Sequence, residues 1–167
     1  MNNKIVIFET NFGDIKIKLF NEKSPITANN FQKLVESGFY DGLRVHRIVK
    51  DFVIQAGDPL SRREDLRKRW GTGGSEVIQD EFIKGLSNKR GTLSMANSGP
   101  NSGSSQFFIN LVNNDFLDWD KKPLSSKHPV FGEVIEGMEI VDKISKSRVD
   151  RFEIPIEDVI IKKAYLQ

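Results

Sequence analysis

Cysteine is absent from the chain, and with it go disulfides, thiolate nucleophiles and thiolate metal sites. Histidine is scarce: the chain has 2, His46 and His128, too few to suggest a metal centre. Neither charge sign dominates, because 25 lysines and arginines stand against 23 aspartates and glutamates. The basic residues are not gathered into one tract interleaved with aromatics, so nucleic-acid binding has little support. With 38% hydrophobic and 29% charged residues, the composition is that of a globular protein, neither disordered nor membrane-spanning. The first residues become polar too early to form the apolar core of a secretory signal. The expectation is a single domain over residues 1–167, cytoplasmic and monomeric, with no cofactor, no metal and no membrane or nucleic-acid partner.

What is present is a succession of short strand-like runs with two helical patterns. Lys4 to Glu9 and Asp14 to Leu19 flank the turn signal Asn11-Phe12-Gly13, and Ile15, Ile17 and Leu19 alternate with Lys16 and Lys18 as in a half-buried antiparallel strand. Ser24-Pro25 reads as an N-cap and first helical residue, Phe31, Leu34 and Val35 keep helical spacing, and Gly38 ends the helix. Val130 to Val134 reads as a strand, Met138, Val141 and Ile144 mark a second helix, and Val159 to Tyr165 is a last strand to pair with the first. Ser61 to Trp70 is a charged stretch that reads as solvated surface, and the pair Asp80-Glu81 likewise. Gly71 to Glu76 has no Gly-Lys-Ser/Thr ending, and the polar loop after Met95 does not match Gly-x-Ser-x-Gly, so neither a nucleotide loop nor a nucleophile elbow is offered. Many short strands with two helices argue for a β-barrel or sandwich with helical covers.

The stretch from Val45 to Asp58 carries the most information. Two apolar, β-branched runs, Leu43 to Val49 and Phe52 to Ala56, meet at Lys50-Asp51 as a hairpin would. Strict alternation puts Val45 and Arg47 on one face with His46 and Ile48 on the other, and then Val53 and Gln55 opposite Ile54 and Ala56. The same alternation returns later, with Gln106 and Phe108 against Phe107 and Ile109. An arginine offers only donors and an amide does not titrate, so neither Arg47 nor Gln55 is a general base. Both can orient a carbonyl-rich ligand and stabilise displaced charge. Taken alone, the stretch favours an arginine snorkelling from an ordinary sheet surface to water.

Five segments change that balance. They are His46-Arg47-Ile48 through Phe52 to Asp58, Gly71-Thr72-Gly73-Gly74, Leu93-Ser94-Met95-Ala96-Asn97, Gly103 to Ile109, and Lys127-His128-Pro129-Val130-Phe131-Gly132. In order and spacing the sequence resembles the cyclophilin family of peptidyl-prolyl cis-trans isomerases over nearly its whole length. The resemblance implies a mainly β fold, a closed eight-stranded antiparallel β-barrel with a helix over each open end. It implies that Arg47 and Gln55 are catalytic and that Phe52, Val53, Phe108, Leu117 and His128 form a proline pocket. Ala96, Asn97 and Gln106 would line the groove for the flanking peptide.

The partners so implied are proline-containing peptides and unfolded or partly folded proteins. A proline-binding module or chaperone without turnover is the alternative. Two departures stand out. Val53 occupies a position where the family often has methionine, and Phe116, which the resemblance counts among the substrate-binding residues as an aromatic wall of the pocket, one where it often has tryptophan. The second removes an indole donor and implies weak cyclosporin binding, unless Trp119 supplies the donor instead. Ser61 to Trp70 and Trp119 to Lys127 look longer than in compact members and are the expected seats of protein-specific function.

Overall fold

The computed structural model describes residues 2–121 and 127–167. Its framework is one eight-stranded antiparallel sheet in the order β3-β4-β6-β5-β7-β2-β1-β8, curled around a common core. The first hairpin, β1 (Ile5–Thr10) with β2 (Gly13–Leu19), alternates as the sequence predicts, burying Val6, Phe8, Ile15, Ile17 and Leu19. Gly13 suits its turn because its φ of 134° is one that L side chains rarely adopt, and a Cβ there would also stand 2.6 Å from the Ile140 side chain.

Helix α1 (Pro25–Glu36) turns Ala28, Phe31 and Val35 inward and packs against β7 and β8. Phe31 meets Phe131 at 5.0 Å and Phe107 edge-on at 5.3 Å, an aromatic cluster that also takes in Phe8 and Tyr40. The start of this helix corrects two expectations. The Ser24 side chain makes no capping bond; instead Glu81 accepts from the Ile26 and Thr27 amides at 3.1 and 3.0 Å and from the Ser24 hydroxyl at 3.0 Å. A carboxylate at a helix N-terminus is favoured by the unpaired amides and the dipole, so Glu81 is a distant cap rather than plain surface.

The β3 (Arg47–Val49) and β4 (Val53–Ala56) hairpin turns at Lys50-Asp51, with Asp51 in the left-handed region at φ 56°. Asn and Asp tolerate that region better than most residues, which suits a tight turn. The first strand is shorter than expected. Val45 and Ile48 both lie in the core although they are three residues apart, which strict alternation forbids. The cause is that residues 43–45 leave the hairpin and bond the other sheet edge, Val45 N–H to Val159 C=O at 2.9 Å and Ile161 N–H to Leu43 C=O at 2.9 Å. Arg47 therefore keeps its expected face while Val45 and His46 exchange theirs.

Strands β5 (Thr92–Met95), β6 (Phe107–Asn110), β7 (Val130–Glu136) and β8 (Ile161–Leu166) complete the sheet, and α2 (Met138–Ser145) packs on β2. The closed barrel is not what forms. β3 and β8 are the two edges and share no ladder, so the sheet is an open, curled half-barrel whose seam is crossed by the bonds of residues 42–45 and the isolated Arg44–Ile160 bridge. No described helix is long and apolar enough to cross a membrane.

Candidate functional site

Two apolar clusters lie on opposite faces of the β4–β6 pair. Ile54, Ala56, Phe107 and Ile109 join the main core, whereas Val53, Phe108 and Leu117 form a small separate cluster with Phe52 and Ala96 packed against it. This second cluster walls a cavity of about 990 Å³ that Arg47, Gln55, Asn97 and His128 also line. Period-two alternation is what delivers Arg47, Val53, Gln55 and Phe108 to one face.

Arg47 and Gln55 are directly paired across the hairpin, and the Arg47 Nη1 donates to the Gln55 Oε1 at 3.5 Å. Gln55 Nε2 donates to Gln106 Oε1 at 3.0 Å, and Gln106 Nε2 donates to the carbonyls of Gly71 at 3.0 Å and Gly73 at 2.7 Å. Gln106 thus spends its amide tying the Arg47–Gln55 pair to the glycine loop, and it lines an adjoining cavity of about 320 Å³ rather than the main one. The glycine run now has its physical reason. Asp58, fully buried, accepts from the amides of Leu60, Gly71 and Gly73 at 2.8, 2.5 and 3.2 Å, and a Cβ on Gly73 would collide with that carboxylate.

Both histidines border the cavity, and both are held neutral. His128 stands edge-on to Phe108 at 5.2 Å, and its Nδ1 lies 2.9 Å from the Met95 carbonyl. A carbonyl only accepts, so the proton is assigned to Nδ1. Burial lowers the His128 pKa, against the Met95 bond and the Asp80 charge. His46 is 4% exposed and its ring nitrogens reach no partner of full hydrogen-bond geometry. Burial takes its pKa down to about 4, against the opposing Asp58 charge and the neighbouring Gln106 amide.

Phe116 is the residue the sequence misplaces. It lines neither cavity, is 55% exposed, and stacks on Phe52 at 5.9 Å. Trp119 stacks on Phe82 at 6.3 Å and lines neither cavity, so it brings no indole donor to the site. Residues 122–126 of the long segment after it fall outside the described residues.

A second wall was invisible in the sequence. Arg67, Lys68 and Trp70, from a stretch folded as two 3-10 turns (Pro59–Arg62 and Glu64–Arg69), line the cavity together with Asp150, Arg151, Phe152 and Ile154. Arg67 pairs with Asp150 at 3.2 Å and donates to the Pro155 carbonyl at 3.2 Å. Trp70 has the guanidinium groups of Arg44 and Arg67 over its rings at 5.4 and 5.2 Å, and its indole N–H donates to the Arg63 carbonyl at 3.0 Å. The charged stretch is therefore built structure on its cavity side. Glu153, also unforeseen, holds its carboxylate 3.5 Å from the Arg47 Nε while its carbonyl accepts from the Ile48 amide at 2.9 Å. Among the described residues no group of three His, Asp or Glu side chains could hold a metal ion.

Comparison with known proteins gives one answer. A family model described as cyclophilin type peptidyl-prolyl cis-trans isomerase matches residues 5–166. Peptidyl-prolyl cis-trans isomerase B of Escherichia coli is 40% identical over 166 residues, which is 95% of this chain and 96% of that protein. Peptidyl-prolyl cis-trans isomerase CYP71 of Arabidopsis thaliana is 42% identical over 161 residues, 93% of this chain but only 23% of that longer protein. A crystal structure of a cyclophilin type peptidyl-prolyl cis-trans isomerase from Cryptosporidium parvum superposes with a TM-score of 0.85 at 32% identity, covering 99% of this chain and 98% of that one. A further structure of that protein was obtained in the presence of the dipeptide Ala-Pro, with a TM-score of 0.84.

Proposed function

The chain belongs to the cyclophilin-type peptidyl-prolyl cis-trans isomerases, and from that premise we propose that it turns the X-Pro bond by electrostatic stabilisation of the twisted amide in the main cavity. The observation that carries this is the junction of a non-titrating donor pair, Arg47 and Gln55, with an apolar wall of Phe52, Val53, Phe108 and Leu117 in one cavity. The apolar wall takes the proline ring. Amide resonance sets a barrier of roughly 18–20 kcal/mol to rotation, and X-Pro bonds interconvert over tens to hundreds of seconds. No bond to carbon has to break. A site needs only to favour the half-rotated state, in which resonance is lost and the proline nitrogen can accept a hydrogen bond. The Arg47 guanidinium supplies such a donor, and Gln55 orients it. Each ~1.4 kcal/mol gained selectively at the twisted state is about tenfold in rate.

Proline-containing segments of peptides and of unfolded or partly folded proteins are the substrates in this reading, which the Ala-Pro dipeptide used with the Cryptosporidium protein supports by analogy. The test is isomerisation of a short X-Pro peptide followed by a cis-sensitive protease or by exchange NMR. Turnover well above the spontaneous rate is expected, and it should survive a chelator. A chain that binds the peptide without accelerating exchange would be a proline-binding module instead.

A further inference from the structure

The cavity carries more positive charge than proline recognition requires. Arg47, Arg67, Lys68 and Arg151 line it against a single carboxylate, Asp150, in a chain whose formal charge is only +2. Two of the four cations are already answered: Arg47 by Glu153 at 3.5 Å and Arg67 by Asp150 at 3.2 Å. Lys68 and Arg151 have no ion-pair partner among the described residues. They reach the same cavity from loops more than 80 positions apart in sequence, as the Arg67–Asp150 contact with its separation of 83 illustrates.

The backbone beneath Arg151 is fixed. Asp150 Oδ1 accepts from the amides of Phe152 at 2.8 Å and Ile154 at 3.1 Å, its carbonyl accepts from Glu153 N–H at 3.0 Å, and the Val149–Pro155 bridge closes the loop. On this loop the Arg151 guanidinium lies 4.7 Å from the Phe152 ring centroid, and Phe152 is 65% exposed. A ring that both lines a substrate cavity and stands open to solvent offers apolar area to an incoming chain, with a cation already seated on its face. An arginine used this way keeps N–H donors free at its edge for a carboxylate.

We propose that Lys68 and Arg151, with Phe152, form a subsite for an acidic side chain, aspartate or glutamate, close in sequence to the substrate's proline. The proposal rests on the reading of the main cavity as the isomerase site. Charge complementarity selects the carboxylate: the two unanswered cations line the same cavity as the apolar wall that takes the proline. A peptide with lysine at the same place would meet repulsion from both.

The experiment uses the whole chain and a matched set of X-Pro peptides in which glutamate, glutamine or lysine stands one to three residues before or after the proline. At low salt the best glutamate peptide should exceed its lysine counterpart in kcat/KM by about three- to tenfold, as two exposed charge pairs would give. The difference should lie mainly in KM and shrink toward unity at high salt. In the double variant Lys68→Glu/Arg151→Glu the order should invert, while Lys23→Glu, which lines neither cavity, should leave the ratio alone. A ratio within one protein cancels any loss of folded material. Equal kcat/KM for glutamate and lysine peptides in the parent overturns the subsite. If no peptide is turned over, the isomerase reading falls, and anisotropy titration of the same labelled peptides decides the subsite alone: preference for glutamate upholds it, and equal or undetectable binding removes it.

Discussion

The apolar wall of the cavity and the charged wall beside it come from opposite kinds of chain. Phe52, Val53 and Phe108 stand on or next to paired strands, each placed by alternation and by a ladder fixed on both sides. Lys68, Trp70, Arg151 and Phe152 stand on loops that hold each other through side chains, with Arg67 as the pin between Asp150, Pro155 and Trp70. A wall made by sheet geometry can carry fixed chemistry, because the backbone that bears its side chains cannot shift without breaking the ladder. A wall made by loops can differ between relatives without disturbing that chemistry, and loops are where specificity is commonly carried.

The largest effect that tests this division is expected at Arg47. Its side chain is 41% exposed and its contacts to Gln55 and Glu153 are long, 3.5 Å each, so Arg47→Ala should move the thermal midpoint little. Removing a donor aimed at developing charge typically costs about 10²–10³ in rate. The peptide exchange assay should therefore fall by about that factor, while Glu153→Gln, which removes only one weak ion pair, should change turnover by less than about fivefold. If Arg47→Ala unfolds the protein or turns over normally, the donor role belongs elsewhere.

Next in size is the acid limit of stability, a property of the buried end of the site. His46 has a folded pKa of about 4 against an ordinary value near 6.5, so the unfolded chain binds the proton more readily. The stability it contributes is present above about pH 6.5 and is lost as pH falls toward 4, by up to about 3 kcal/mol. His128, also lowered by burial, acts in the same direction. The thermal midpoint should decline between pH 6.5 and 4, and His46→Gln should flatten that decline. Peptide turnover above pH 7 should stay flat, because neither Arg47 nor Gln55 titrates there. An unchanged slope in His46→Gln would assign the acid sensitivity to other groups.

How much of this was legible follows from the same division. Arg47, Gln55 and Phe108 could each be put on a face of its own strand from period two, and only the family resemblance brought the three together. Val45 and His46 could not, because their register is set by backbone bonds to Val159 and the far edge of the sheet, a contact across more than a hundred residues. Glu81 read as surface because capping helix α1 requires the chain to return 54 positions later. The closed barrel was implied by the family resemblance, and hydrophobic patterning could not correct it, because it says which face is buried but not whether two edges meet in a ladder. In the charged wall, neither Arg67 nor Asp150 has a local pattern that names the other.

The smallest effect concerns Phe116, at the border of the apolar wall. The sequence assigns it to the pocket, whereas the structure stacks it on Phe52 with 55% of its surface exposed. A phenyl ring there adds apolar contact but no donor, and Trp119, paired with Phe82, supplies none to the cavity either. The indole N–H of Trp70, which does line the cavity, is already given to the Arg63 carbonyl at 3.0 Å. Cyclosporin should therefore inhibit weakly. Phe116→Trp introduces a donor at an exposed rim, where a new hydrogen bond is worth about 0.5–1.5 kcal/mol, or roughly two- to tenfold in affinity. Turnover of a short X-Pro peptide should change less than that, since the apolar wall and Arg47 are untouched. Titrating cyclosporin against the parent, Phe116→Trp and Trp119→Phe in one assay decides the matter. Tight inhibition of the parent that disappears in Trp119→Phe would move the donor to Trp119 and require the loop bearing it to shift when the inhibitor binds. Tight inhibition of all three would mean that the drug is held by the sheet-built wall without any indole.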